Sequence, residues 1–494
     1  MDNSQSHLLK QVTWHSYVCF MALTIPILLG WSSVKAYDSP LFHSIPNRNL
    51  QNKCQLGLYD LTTNPAFFST TYPENLASYR FGVNHRESPF HRLFDPKRRQ
   101  DYQLWIYNIN HLSEKITLGA SISYQRTDLF RLYRSLEKDF YSEYFALTDT
   151  TTGNTTFDGP QVAFLYNYAL TSRLNLGLEI NYGVEHGLKD VFTKCETIMR
   201  NIDLSGGLGW QTRNGKFAWG VFGRYFNNQR KYEAVKELQD ALVKTYFGYH
   251  VFKSENPRST NRKNDDRLGY EVGGQLAFQN IGLSGLQLLL ASSLGAKSTE
   301  VSVGSVTSPE PKGYHLQEGQ HFLTNLGYFP KGKSGCSLLY ERNQLIDWVE
   351  SGAYNVIIVE FRETAQHLRL RGIWEVSKIL ELTAGYDWAE YRDNYKEFIQ
   401  IFTSLQTRLN RAYFVETRLQ LNPILTGFYR LEIGSAEPFF YWNTARINSK
   451  ALEFGIERLG TFGKIAIAVN LGQETASGYP HTNQLLGFSF KYWR

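Results

Sequence analysis

Acids and bases stand at alternate positions inside apolar runs, and that spacing sets the chemistry available to the chain. In HLRLRGIWEV (367–376), Arg369 and Arg371 alternate with Leu368 and Leu370. In AYFVETRLQL (412–421), Glu416, Arg418 and Gln420 alternate with Val415, Leu419 and Leu421. RLNLGLEINY (173–182) places Leu174, Leu176, Leu178, Ile180 and Tyr182 on one face and Glu179 on the other. Strict alternation is the period of a β-strand, whose successive side chains point to opposite faces. If the apolar face meets lipid, then Glu179, Arg224, Glu271, Arg369, Arg371, Glu416, Arg418, Arg430 and Glu432 face an interior. Two readings follow. The charges line a hydrated, mildly selective pathway, or they pair across strands and pack the interior.

Other chemistry finds little support. The 12 histidines are dispersed, with no HExxH, GxSxG or P-loop spacing, so no catalytic residue is nominated and no enzyme is expected. Cys19, Cys54, Cys195 and Cys336 show no CxxC or Cys/His spacing. Neither a zinc site nor a disulfide framework is expected, and no cofactor is implied. A net charge of +6 over 494 residues, without a basic stripe, gives no nucleic-acid footprint.

The elements that position the charges come next. Mean hydropathy is only −0.37, although the chain has 32 Phe, 31 Tyr and 39 Gly. Interleaved apolar and polar residues suit two-faced strands. The alternating segments are joined in pairs by short turns at 111–114, 171–173, 213–216, 280–285, 330–335, 377–378, 422–426 and 460–463. Longer polar stretches separate the pairs. Short turns alternating with long loops are the pattern of an outer-membrane barrel. Eight hairpins, a first strand at 76–86 and the closing segment NQLLGFSFKYWR (483–494) make about eighteen strands within a range of 14–18. Each is expected to span about 10–12 residues. AYNVIIVEF (353–361) reads as an extension of a loop hairpin. Trp210, Trp219, Trp374, Trp388 and Tyr429 fit an interfacial aromatic belt. The expected fold is an all-β, antiparallel, up-and-down transmembrane barrel over 76–494. Soluble sandwiches and propellers fit less well, because no 40–50-residue repeat is present.

Residues 1–36 read as a secretory signal peptide, with an apolar run at 17–31 and Val34 and Ala36 before the cleavage point. Residues 37–75 are turn-rich and read as a periplasmic, plug-like segment. Two loops, 130–145 and 232–244, carry apolar residues at helical spacing.

Within the N-terminal segment, Asn64, Pro65 and Ala66 form an NPA just before the first strand. This resembles the long-chain fatty acid transporter family and its relatives. The resemblance implies that an N-terminal segment folds into the lumen as a hatch, and that hydrophobic molecules are the substrates. The family's barrel has fourteen strands, and its relatives include subunits of secretion machinery. The expectation is therefore passive transport of small, in this family hydrophobic, molecules across a Gram-negative outer membrane. The alternative is an accessory barrel with a filled lumen. Membrane lipid is the expected partner in both, and other outer-membrane proteins in the second.

Overall fold

In a computed structural model, the described residues are 64–68, 75–89, 93–138, 140, 143–191, 194–234, 243–247, 251–255, 262–280, 284–304, 309–330, 334–352, 355–399, 401–437, 446–460, 463–476 and 482–493. The signal peptide expected at 1–36 lies outside them, as does most of the expected plug segment. Among the described residues, no helix is long and apolar enough to cross a membrane.

Twenty strands form among the described residues, and eighteen of them close a barrel. They run β1 (Leu76–Glu87), β2 (Arg98–His111), β3 (Ile116–Ser135), β4 (Phe145–Ala169), β5 (Leu174–Lys189), β6 (Cys195–Gln211) and β7 (Phe217–Ala234). The wall continues through β10 (Arg262–Gln279), β11 (Leu286–Gly304), β12 (Pro309–Tyr328), β13 (Gly335–Ser351), β14 (Val356–Ser377) and β15 (Leu380–Glu397). It ends with β16 (Phe402–Gln420), β17 (Leu425–Ala436), β18 (Ile447–Gly460), β19 (Gly463–Ala476) and β20 (Thr482–Trp493). Between β7 and β10 lie the short strands β8 (Val243–Phe247) and β9 (Val251–Glu255).

Every wall strand is antiparallel to its neighbours, and β20 closes against β1, with Phe81 opposite Phe490 and Tyr79 opposite Tyr492. Closure removes the unpaired edge that a bilayer would not tolerate. All eight expected short turns join consecutive wall strands. At 212–217 the chain reverses through Gly215, whose φ of 66° lies in the left-handed region that favours glycine, and its amide donates to the Thr212 carbonyl.

β1, β17 and β20 have the expected length at 12 residues, but most strands are longer, up to 25 in β4. The polar stretches read as loops are largely continued ladders rising beyond the membrane. Polar residues pair across strands as readily as apolar ones, so composition hid the extension. The segment read as an extension of a loop hairpin, 353–361, is one: Val356–Phe361 begins β14 opposite the end of β13.

The outward face carries exposed Ile180 and Tyr182, Leu431 and Ile433, Ile465 and Ile467, and Leu486 and Phe488. Moving away from the short turns, the outward positions of β16–β19 change from Tyr413, Ile433, Leu452 and Leu471 to Arg411, Ser435, Lys450 and Gln473. On β10 the change falls between Leu268 and Asp266. A band of apolar surface with a polar upper edge is what a barrel in lipid presents. Of the expected aromatic belt, Trp219, Trp374 and Tyr429 are exposed on this face.

Candidate functional site: a barrel interior contacted at both ends

At the long-loop end, the β3–β4 connection turns into the barrel instead of standing above it. Two register irregularities bend β3, one between Leu129 and Leu132 and one between Tyr133 and Ser135. Arg131 and Arg134 adopt positive φ there, at 53° and 51°. Extra residues of this kind bend a strand and aim it away from its ladder. The beginning of β4 then leaves the wall. Phe145, Ala146 and Leu147 pair with Phe247, Tyr246 and Thr245 of β8, which pairs in turn with β9.

The helical spacing at 130–145 thus falls on the end of β3, a loop and the start of β4. The near-four-residue spacing of Leu132, Leu136, Phe140 and Tyr144 serves four separate packing sites. Leu132 packs with Leu129, Phe157 and Met199, and Leu136 with Leu147, Cys195 and Tyr232. Phe140 stacks on Phe94, and Tyr144 joins Val301, Val349, Val359 and Tyr395. The core of the second stretch of helical spacing, Val235 to Leu242, lies outside the described residues.

Carboxylates of the loop reach distant walls. Glu137 Oε1 meets Lys263 Nζ of β10 at 2.7 Å and also accepts from the Leu147 amide at 3.1 Å. Lys263 contacts Asp265 as well, at 3.2 Å. Glu143 bridges Arg267 of β10, at 2.5 Å, and Arg230 of β7. Tyr144 donates to Asp347 of β13 at 3.1 Å, and His315 of β12 lies 3.4 Å from the same carboxylate. The loop thus spans from β3–β4 to the far side of the mouth.

Lys263, Asp265 and Glu137 are each about 1% exposed, so the network is desolvated. Burial pushes the Glu143 carboxyl up, but Arg267, Arg230 and Lys263 outweigh it and hold it far below the usual carboxylate range. Burial raises Asp265 to about 6, because the neighbouring carboxylates offset much of the help from Lys263 and Arg267. These groups lie beyond the apolar band, level with or above the outward Asp266 of β10. Sequence reasoning did not single out the loop acids or Lys263, Asp265 and Arg267. The available signal was the charge at every second position in KNDDR (263–267).

At the short-turn end, Asn64–Phe68 lies against the inner wall. Pro65–Phe67 forms one 3-10 turn capped by Asn64, whose side chain accepts from the Ala66 amide at 3.0 Å. The same side chain donates to the carbonyls of Leu208 and Val221, both at 3.1 Å. Asn167 donates to the carbonyls of Pro65, at 3.2 Å, and Ala66, at 2.9 Å. Glycines make room for this contact. A Cβ at Gly207 would sit 2.0 Å from Asn64 Oδ1, and one at Gly177 would sit 2.1 Å from the Pro65 carbonyl carbon. Phe67 packs with Ala218, Ala277 and Leu289, and Phe68 with Trp105, Tyr107 and Leu165.

The charges expected from sequence to face inward make contacts along the wall, of which several are ion pairs and others are a hydrogen bond or a ring contact. Glu179 accepts from Asn181 at 2.9 Å. Arg224 holds Asp203 at 2.9 Å and lies 3.7 Å from Glu271. Arg369 meets Asp387 at 2.9 Å, and the Arg371 guanidinium lies 5.4 Å from the Phe414 ring centre. Glu416 binds Arg418 at 2.7 Å and Arg430 at 3.9 Å, and Arg430 binds Glu432 at 2.9 Å.

Burial divides the interior. Inward positions of β5 such as Asn175, Glu179 and Asn181 are buried, whereas Arg430 and Glu432 of β17, Glu453 of β18 and Asn470 and Glu474 of β19 are only partly covered. Cys195 is buried and Cys336 exposed. Among the described residues, no group of histidine, cysteine and acidic side chains could hold a metal ion.

A family profile, "Family of unknown function (DUF6850)", matches residues 65–445. No curated protein matches the chain. Among solved structures, the siderophore receptor PiuA from Acinetobacter baumannii is similar at a TM-score of 0.47 and 8% identity, over 85% of this chain and 82% of that one. The outer membrane transporter YddB from Escherichia coli is similar at 0.40 and 6%, over 84% and 81%. The TodX monoaromatic hydrocarbon channel is similar at 0.30 and 11%, over 88% and 94%.

Proposed function

The chain belongs to the DUF6850 family, and we propose that it is an outer-membrane barrel for passive passage of small water-soluble molecules, restricted at its outer mouth by the β3–β4 loop. The observation that carries this reading is the uneven interior. Arg430, Glu432, Glu453 and Glu474 leave a charged, partly uncovered strip along β17–β19, while the loop closes over the opposite walls. A charged strip favours water-soluble solutes over the hydrophobic ones implied by the NPA resemblance. The loop is held by ion pairs and hydrogen bonds, which can break and re-form.

Asn64, Pro65 and Ala66 take the part of an inner anchor in this reading, tying the N-terminal segment to β4–β7. Solute efflux from liposomes containing the purified chain tests the proposal. Sugars of increasing size should leave at rates that fall with size. Retention of all of them, with the barrel folded, would overturn it.

The extensive burial of inward residues along β4–β6 and β10 favours a second reading, an accessory barrel with a filled lumen. A barrel of that kind would retain every solute and would leave mild detergent extracts with protein partners bound.

A further inference from the structure

The lipid-facing band is interrupted in one sector. The outward row of β13 runs Leu338, Tyr340, Arg342, Gln344, while Leu339 and Asn343 point inward and are buried. Arg342 stands opposite Phe322 of β12 and Gln366 of β14. Gln344 stands opposite Gln320 and Thr364, and Ser292 of β11 opposite Phe322. At the same distance from the short-turn end, β1, β4, β16 and β20 carry Val83, Val162, Tyr413 and Leu486. Arg342 therefore sits at a level where β1, β4, β16 and β20 present apolar side chains to lipid.

Its situation is costly for a cation. An arginine on the lipid face is destabilising, less so towards the interface. Among the described residues Arg342 has no ion pair, and its Nε is buried without a hydrogen-bond partner. The arginines above it are satisfied, Arg362 by Glu360 at 2.7 Å and Arg392 by Glu390 at 2.5 Å. The residues beside Arg342 on the outward face, Phe322, Tyr340, Gln344 and Gln366, are all neutral, and the amides among them can donate to an anion but not neutralise the arginine's charge.

We propose that this notch binds the phosphate of an anionic lipid, with Arg342 as the charge partner and Gln344 and Gln366 as further donors. A lipid explains both the height of the site, near the upper edge of the apolar band, and the apolar flanks Phe322, Tyr340 and Leu368, which would lie along acyl chains. The inference requires only that the band lies in a bilayer and is independent of whether the lumen conducts.

Native mass spectrometry of the full chain in detergent, with phosphatidylglycerol, phosphatidylcholine or inorganic phosphate added, tests it. The expected result is selective retention of phosphatidylglycerol, weaker by about fivefold in Arg342→Leu, the factor for one interfacial basic residue. Arg362→Gln, altering a paired arginine, should change retention far less. Heat-modifiable mobility on gels confirms folding of each variant. Equal retention in Arg342→Leu would overturn the site. Full displacement by inorganic phosphate would assign it to a soluble anion and overturn the lipid. A dimer lost in Arg342→Leu would make the notch an interface between copies and also overturn the proposal.

Discussion

Glu137 of the β3–β4 loop and Lys263 of β10 meet at 2.7 Å, with both side chains almost wholly buried. The contact joins residues 126 positions apart and ties a loop to a wall that is not its neighbour. Breaking a buried pair leaves a desolvated charge, which costs about 3–5 kcal/mol. Glu137→Gln should therefore loosen the loop by about 3 kcal/mol. Amides of 136 and 143–147 should exchange with deuterium faster, while those of β5 and β6 keep their protection.

Asp265 makes loop docking depend on pH. Its carboxyl is raised to about 6 by burial, above the value of ~3.9 for a free aspartate. The docked state therefore holds a proton that the undocked, solvated state gives up. Docking is weakest above pH 6 and strengthens as pH falls from about 6 towards 4, where both states are protonated. Glu143 does not cancel this trend over that window. Its depressed folded value keeps its stabilisation in place until the pH falls below the ordinary range for glutamate. Conductance at pH 5 should be lower than at pH 7.5, and Asp265→Asn should flatten the difference.

Gly207 and Asn64 form a fitted contact at the other end. A methyl at 207 would fall 2.0 Å from Asn64 Oδ1, and the short, doubly bonded side chain has little room to yield. Gly207→Ala should cost the anchor at least one hydrogen bond, about 1–3 kcal/mol for buried groups left unpaired. Accelerated exchange of the Ala66 amide, which donates to Asn64, is the expected readout.

The interior strip should set ion preference. Arg430 lies between Glu416 and Glu432, so Arg430→Glu places three acids together. Reversal potentials under a salt gradient should shift towards cation selectivity. No shift would place the conducting path away from β17.

Much of the barrel was legible because lipid imposes a simple rule on alternate residues. Leu431 and Ile433 had to face out, which put Arg430 and Glu432 inside. The eight short turns were legible from their turn residues. What the sequence left unread were the partners of the loop at 130–145. Its apolar spacing matched a helix, but Leu132, Leu136, Phe140 and Tyr144 are held by four separate clusters that draw on β4, β6, β7, β11, β13, β14 and β15. Such contacts depend on how the walls curve round, and that is absent from local sequence. The partners of Glu137 and Glu143 were hidden for the same reason. Strand lengths were underestimated because polar ladders above the membrane carry no apolar alternation.

The central claim is that the β3–β4 loop restricts a passage through the barrel. Single-channel current should be recorded from the folded full chain and from a variant in which residues 137–144 are replaced by a short Gly-Ser linker. The account predicts small steps from the full chain and steps several-fold larger from the variant. Silence from both, with folding confirmed by heat-modifiable mobility, would contradict it and favour the filled barrel.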